Sequence, residues 1–226
     1  KLFKSNIGKF SEKELDFLSK RKIKIEMATK YKFLGLSNFK NKKELEIIGA
    51  TTHPLLKGIL PDGIEDGGIV QPLFINNTIK NCSIRRISDV GKLKYTIAIP
   101  DISVWGLDEV DLNEEIWICE GILDMIALQE MDIKAISVSS AMWSTIQLYQ
   151  LINKKPKNIV IFADNDRVGI KTASILNNFF NLMMIPNIVV ISEIAKDAFE
   201  HFNERGMDFT KISPIKITKD MILSME

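Results

Sequence analysis

The sequence predicts an α/β protein: a mostly parallel sheet flanked by helices, preceded by a smaller, basic α+β part. Three observations lead there. From residue 116 onward, short apolar runs alternate with helix-like segments, which is the pattern of βαβ units. Residues 68–99 instead alternate strand-like runs with polar turns, as an antiparallel meander does. Residues 1–50 carry 13 Lys/Arg against 6 Asp/Glu, an excess of +7 in a chain whose net charge is only +1.

The elements follow in order. Ser11-Glu-Lys-Glu14 has the form of a capping box, with Leu15, Phe17 and Leu18 giving the following helix an apolar face to about Lys20. A second amphipathic helix is predicted over Ile25–Phe33, stopped by Gly35, with further helical turns over 42–48. The Gly-, Pro- and Asp-rich stretch 60–68 is a connector. Strands are expected at 69–75, 78–87 and 95–99, with turns at Asn76-Asn77 and near Gly91. Strand and helix then alternate at 116–119 and 122–130, 134–138 and 144–152, 158–163 and 167–180, and 187–191 and 196–205. A last strand at 213–217 precedes a short terminal helix. The boundary falls near 105–115, so the expected domains are 1–110 and 111–226.

At 226 residues and 46% hydrophobic content the chain can build one large core or two small ones. No apolar run approaches the roughly 20 residues that span a bilayer, and the lysine-rich start lacks the apolar stretch of a signal peptide; a cytoplasmic location without a membrane partner is expected. Cys82 and Cys119 lie in strand-like runs without CxxC spacing and are expected to be buried small hydrophobes, so no zinc is expected in this segment. His53 and His201 lack partners at metal-ligand spacing and are expected in surface or loop roles. Trp105, Trp117 and Trp143 are expected to pack.

Two acidic clusters carry the chemistry. Ile116-Trp-Ile-Cys119 runs into Glu120-Gly-Ile-Leu-Asp124, and Ile159-Val-Ile-Phe-Ala163 into Asp164-Asn-Asp166-Arg-Val-Gly169. Each apolar run suits a strand buried on both faces, and side chains just beyond the carboxyl ends of such strands line the ligand crevice of an open α/β sheet. Asp197, just after the fourth predicted strand, extends the same edge. Carboxylates gathered there repel one another unless cations neutralise them, which points to hard ions such as Mg²⁺. Taken singly, each acid also suits a helix N-terminus as a cap or dipole partner; their recurrence at equivalent βα junctions favours a site.

Together, Glu120-Gly-x-x-Asp124, Asp164-x-Asp166-Arg-x-Gly169 and Lys196-Asp197-Ala198 resemble the motifs of the TOPRIM fold shared by bacterial-type primases, topoisomerases and some nucleases. DnaG-type and phage primases are nearest in pattern. Upstream, Phe17-Leu-x-x-Arg21, Met27-Ala28 and Phe33-Leu-Gly35 are similar to the opening of the primases' basic N-terminal subdomain, Ile69–Arg86 to its sheet, and Lys94-Tyr95 to its Lys-Tyr pair. The departures are Asn165, where primases commonly have Gly or Met and where the side chain is expected to point away from the metal edge, a 137–141 turn without its Gly, and a single Asp197 in place of an acidic pair. The family's zinc-binding and helicase-contacting parts are not expected within this segment.

The resemblance implies the RNA-polymerase core of a DNA primase, making short RNA primers on a single-stranded DNA template from nucleoside triphosphates, with two or more Mg²⁺ or Mn²⁺ ions and a replicative helicase as partner. It implies Asp164 and Asp166 as main metal ligands, with Asp124 and Asp197 binding or polarising further ions, and Glu120 as either a ligand or the base acting on the attacking hydroxyl. Arg85, Arg86 and Lys94 are candidates for template or triphosphate contacts, although neighbours on a strand face opposite sides. For Arg167, pairing with Asp164 and contact with phosphate both stand open. Competing classes are a TOPRIM nuclease using the same metals and a non-catalytic nucleic-acid-binding module. Abundant Lys, Ile and Asn suit an AT-rich genome, and a phage or mobile element as well as a bacterium.

Overall fold

The computed structural model describes residues 5–39, 67–75, 78–87, 95–97, 104–138, 140, 142–204 and 208–218. The chain divides into two compact units, Lys1–Ser103 and Val104–Glu226. Residues 104–110 go with the second unit because Val104, Leu107 and Val110 lie in its core.

In the first unit, helix α1 (Glu12–Lys20) starts at the predicted capping box, with Ser11 accepting from the Glu14 amide and the Glu14 side chain accepting from Ser11 N–H. Helix α2 (Ile25–Lys30) stops before its predicted end, and Lys32 at φ +59° turns the chain. Gly35 therefore stands in a two-residue strand, β1 (Leu34–Gly35), absent from the predicted elements. An antiparallel sheet follows in the order β1-β2-β3-β4, with β2 at Gly68–Ile75, β3 at Thr78–Arg86 and β4 at Tyr95–Ile97. Leu34, Leu36, Phe39, Val70, Cys82 and Ile84 form its core. The predicted helical turns at 42–48, most of the 60–68 connector and the turns at Asn76-Asn77 and Gly91 lie outside the described residues.

Glu14 joins the parts of this unit. It is fully buried, and its carboxylate accepts from Ser11 N (2.8 Å), Ser37 N (2.9 Å), Ser37 Oγ (2.6 Å) and Gly68 N (3.1 Å). One side chain thus ties α1 to the turn after β1 and to the start of β2. Gly35 is glycine for the same reason: a Cβ there would stand 2.1 Å from Glu14 Oε2.

The second unit is a five-stranded sheet in the order β6-β5-β7-β8-β9, with β5 at Glu115–Cys119, β6 at Ala135–Ser137, β7 at Asn158–Phe162, β8 at Asn187–Ser192 and β9 at Ile212–Ile215. All neighbours pair in parallel except β9, which runs antiparallel to β8. Helices α3 (Ile122–Gln129), α4 (Thr145–Ile152) and α5 (Arg167–Leu182) connect the parallel strands. Strand alternation divides the core. Ile116, Ile118, Ile159 and Ile161 join Leu151 of α4 and Ile170, Ala173, Leu176 and Phe180 of α5, while Trp117 and Phe162 lie against each other with ring centroids 6.4 Å apart. Along the sixteen residues of α5, Ile170, Ala173, Leu176 and Phe180 form a buried apolar stripe, as a sheet-covering helix must.

The helix predicted over 196–205 is present but shorter and wider: it starts at Ala198 and runs on as a π-helix over Glu200–Glu204. The widened turn brings Phe199, His201 and Phe202 inward together, and all three are buried. The predicted terminal helix falls outside the described residues. Among those residues no helix is long and apolar enough to cross a membrane. Cys82 and Cys119 are free and buried, and burial pushes the Cys82 thiol up to about 12. Trp105 is buried and Trp143 packs on the main core.

Glu14→Ala strands several buried donors at once. It should destabilise the first unit by about 3–5 kcal/mol, read by thermal unfolding and by faster amide exchange at Leu34–Leu36; an unchanged melt would show that water satisfies those donors.

Candidate metal-dependent active site

The chain leaves β5 toward β6, then returns across it to β7 and moves on to β8. The connections after β5 and β7 therefore diverge, and a crevice opens between two adjacent strand ends, as expected at a topological switch point. Glu120 directly follows β5 and Asp164 follows β7 after one residue. A cleft here is lined by Cys119, Glu120, Trp143, Ala163, Asp164 and Gly169.

Local chemistry explains the motif spacings. In Glu120-Gly-x-x-Asp124, Asp124 caps its own helix by accepting from Gly121 N at 3.0 Å, and a Cβ on Gly121 would lie 2.5 Å from that same oxygen. In Asp164-x-Asp166-x-x-Gly169, Asp166 is the N-cap of α5 and accepts from Gly169 N at 2.9 Å. A Cβ on Gly169 would meet the Asp164 carbonyl oxygen at 2.5 Å. Both glycines let an acid-bearing turn close tightly onto a helix N-terminus.

The third segment, 193–200, is held against the other two. Asp124 Oδ1 accepts from Phe199 N at 2.8 Å, Asn165 N donates to Lys196 O at 2.6 Å, and Asn165 Nδ2 donates to Ser192 O at 3.3 Å. Asn165 thus braces β8 from the middle of the Asp-x-Asp pair, a role that its expected outward direction did not foresee. Asp197 accepts from Glu200 N at 2.8 Å.

His201 departs from the surface or loop role expected of it. It is fully buried, with Nδ1 2.8 Å from Ser192 Oγ and Nε2 3.0 Å from Asp208 O. A carbonyl only accepts, so Nε2 carries the proton and Nδ1 accepts from the Ser192 hydroxyl. The same hydroxyl oxygen accepts from Ile194 N and Ala195 N. This network fixes the turn leading to Lys196 and Asp197.

Electrostatics couple the acids. Burial, then the charges of Glu120 and Asp197, push the Asp164 carboxyl up to about 7 despite the Lys196 ammonium. Asp124 is raised well above the ordinary range by burial, Asp197 and Asp164, against its two backbone hydrogen bonds. Glu120 is raised by burial and Asp166. For Asp166 burial acts upward, but the Gly169 amide and Lys196 outweigh it and the carboxyl is lowered. Lys196 Nζ stands 3.0 Å from Asp166 Oδ2 and 3.8 Å from Asp164 Oδ2, and its own pKa is raised, chiefly by the Asp166 hydrogen bond.

The five predicted acids therefore interact at one edge. Arg167 is exposed at the first turn of α5, and the cation paired with Asp164 is Lys196. Arg85 and Arg86 lie in the first unit. Arg85 is buried, its guanidinium 5.9 Å from the centroid of the Phe17 ring, and Arg86 is half-buried. Lys94 lies outside the described residues. Lys196 was visible as a motif residue, yet only the fold shows its ammonium between two carboxylates.

The donors suit a hard divalent cation. Five carboxyls stand near one ammonium, and burial followed by the neighbouring carboxylates raises Asp164, Asp124 and Glu120. Among the described residues no three His, Cys, Asp or Glu side chains stand in an arrangement that could hold an ion as they are; Lys196 reaches the Asp164 and Asp166 oxygens instead.

Comparison with known proteins agrees with this geometry. Residues 117–202 match the Toprim-like family model. Over nearly the whole chain the fold is that of DnaG-type primase catalytic cores. A DNA primase domain from Pseudomonas aeruginosa is 19% identical with a TM-score of 0.64, over 88% of this chain and 72% of that one. The RNA polymerase domain of Mycobacterium tuberculosis primase DnaG, in complex with double-stranded DNA, is 14% identical with a TM-score of 0.64, over 87% and 71%. A DnaG primase catalytic domain bound to ssDNA is 16% identical with a TM-score of 0.60, over 87% and 71%. No curated protein matches the sequence.

Without divalent ions, the charge on Asp164 should weaken the fold. Its carboxyl ionises near 3.8 when unfolded but near 7 in the fold. The native state binds more protons between those values, so stability falls as pH rises across that window. Asp164→Asn should therefore stabilise the metal-free protein at pH 8 by on the order of 2–4 kcal/mol, with little gain at pH 4, measured by thermal unfolding in EDTA. Equal melting of both proteins at pH 8 would contradict the strain.

Proposed function

We propose that this chain is the RNA-polymerase core of a DNA primase, joining ribonucleotides on a single-stranded DNA template by metal-dependent nucleotidyl transfer. The supporting observation is the coupled set Glu120, Asp164, Asp166 and Asp197 at the switch point of a TOPRIM sheet, in a chain whose fold over both units is that of primase cores.

Asp164, Asp166, Glu120 and Asp197 would hold Mg²⁺ or Mn²⁺, which when bound would neutralise triphosphate charge and lower the pKa of the attacking 3′-hydroxyl. Glu120, raised by burial and set at the cleft, is suited to take the proton of that hydroxyl. Asp124 has one backbone N–H on each oxygen; its proposed part is to clasp the 199 segment and add negative charge behind the ligands. Arg86, Lys94 and Arg167 are proposed to contact template or triphosphate. Arg85, packed on Phe17, is proposed to serve mainly to set that surface. A replicative helicase and a bacterial or host cytoplasm follow from the same proposal.

The purified chain should incorporate labelled ribonucleotides on single-stranded DNA with Mg²⁺ or Mn²⁺. Asp166→Ala should lower the rate by on the order of 10²–10³-fold with the circular dichroism unchanged. Undiminished synthesis by that variant would sink the assignment, as would no synthesis with helicase and a zinc-binding domain supplied. Strand cleavage without nucleotides would indicate a nuclease.

A further inference from the structure

Lys196 is the cation that the fold sets among the acids. Its ammonium spans the Asp-x-Asp pair, 3.0 Å from Asp166 Oδ2 and 3.8 Å from Asp164 Oδ2. Its backbone is fixed independently, with N–H donating to Glu200 Oε2 at 2.9 Å and the carbonyl accepting from Asn165 N. The side chain, 54% exposed, can swing toward solvent while the loop stays in place.

A divalent ion bound by Asp164 and Asp166 needs the oxygens that the ammonium now contacts. At those oxygens the ammonium occupies positions that the ion would take, and it repels an incoming dication across a few ångströms. We propose that Lys196 is a resident counter-cation that the divalent ion must displace, so that loading the acidic edge is a cation exchange. The proposal rests on the assignment of Asp164 and Asp166 as metal ligands. Its consequence is a threshold: the lysine holds the empty edge together at low metal and weakens the first binding step. A lysine adjacent to a ligand in sequence thereby sets the metal concentration at which the site fills.

The test is Mn²⁺ binding to the metal-free full chain, by titration calorimetry and by the electron paramagnetic resonance signal of free Mn²⁺. Lys196→Met keeps the length and removes the charge. Lys171→Gln removes an exposed charge on α5, away from the Lys196 turn, and serves as the control for general electrostatics. Lys196→Met should lower the Mn²⁺ Kd about tenfold, against less than about twofold for Lys171→Gln. It should also lower the melting temperature in EDTA, with the deficit disappearing in excess Mn²⁺. Binding by Lys196→Met no tighter than wild type, or an equal gain in Lys171→Gln, overturns the exchange; no Mn²⁺ binding by any of the proteins overturns it together with the metal assignment. Tightened binding in a chain that makes no primers would leave the exchange standing and remove the primase reading alone.

Discussion

Repulsion among carboxyl groups at one edge of the second unit's sheet is the constraint on which its local structure depends. Glu120, Asp124 and Asp164 are raised by burial and then by neighbouring carboxylates, Asp197 among them, so these charges are held close at a cost to the fold. That cost is met locally: two backbone amides on Asp124, one on Asp166, and one lysine across the Asp-x-Asp pair. The amides among these are groups that a helix N-terminus leaves without a regular partner. Strain of this kind is expected where a site is built for a charged ligand.

The scaffold holding those charges is apolar and ordered. Ile116, Ile118, Ile159 and Ile161 are almost fully buried under α4 and α5, which fixes β5 and β7 in register and their following acids at one level. The less regular third segment is secured by polar contacts instead. Ser192, His201 and Asn165 surround it with directional hydrogen bonds, and the π-turn supplies the room for His201 to reach both partners. The first unit uses a different centre, the buried Glu14 carboxylate, to join three pieces of backbone.

How much was legible depended on the range of the interaction. The capping box at Ser11, the alternation from Glu115 onward and the acids beyond β5 and β7 are short-range patterns, and they emerged in the structure. Strand β1 did not show, because two residues carry no periodicity and are extended only by pairing with Ile69 and Val70. The reach of Glu14 to Ser37 and Gly68 spans 23 and 54 positions, and no local signal marks it. His201, nine residues from Ser192, looks like a solvated loop residue until the turn folds it inward.

The sequence by itself determined the chemistry available: hard oxygen donors at strand ends, glycines where turns must close, and a basic first part. Those follow from residue type and spacing, which act over a few bonds. Tertiary structure alone decided which groups meet: that strand order puts the switch point between Glu120 and Asp164, that Asp124 clasps Phe199 across 75 positions, and that Lys196 rather than Arg167 pairs with the acids. Charge interactions depend on distance through space and on burial, and neither exists until the chain has folded.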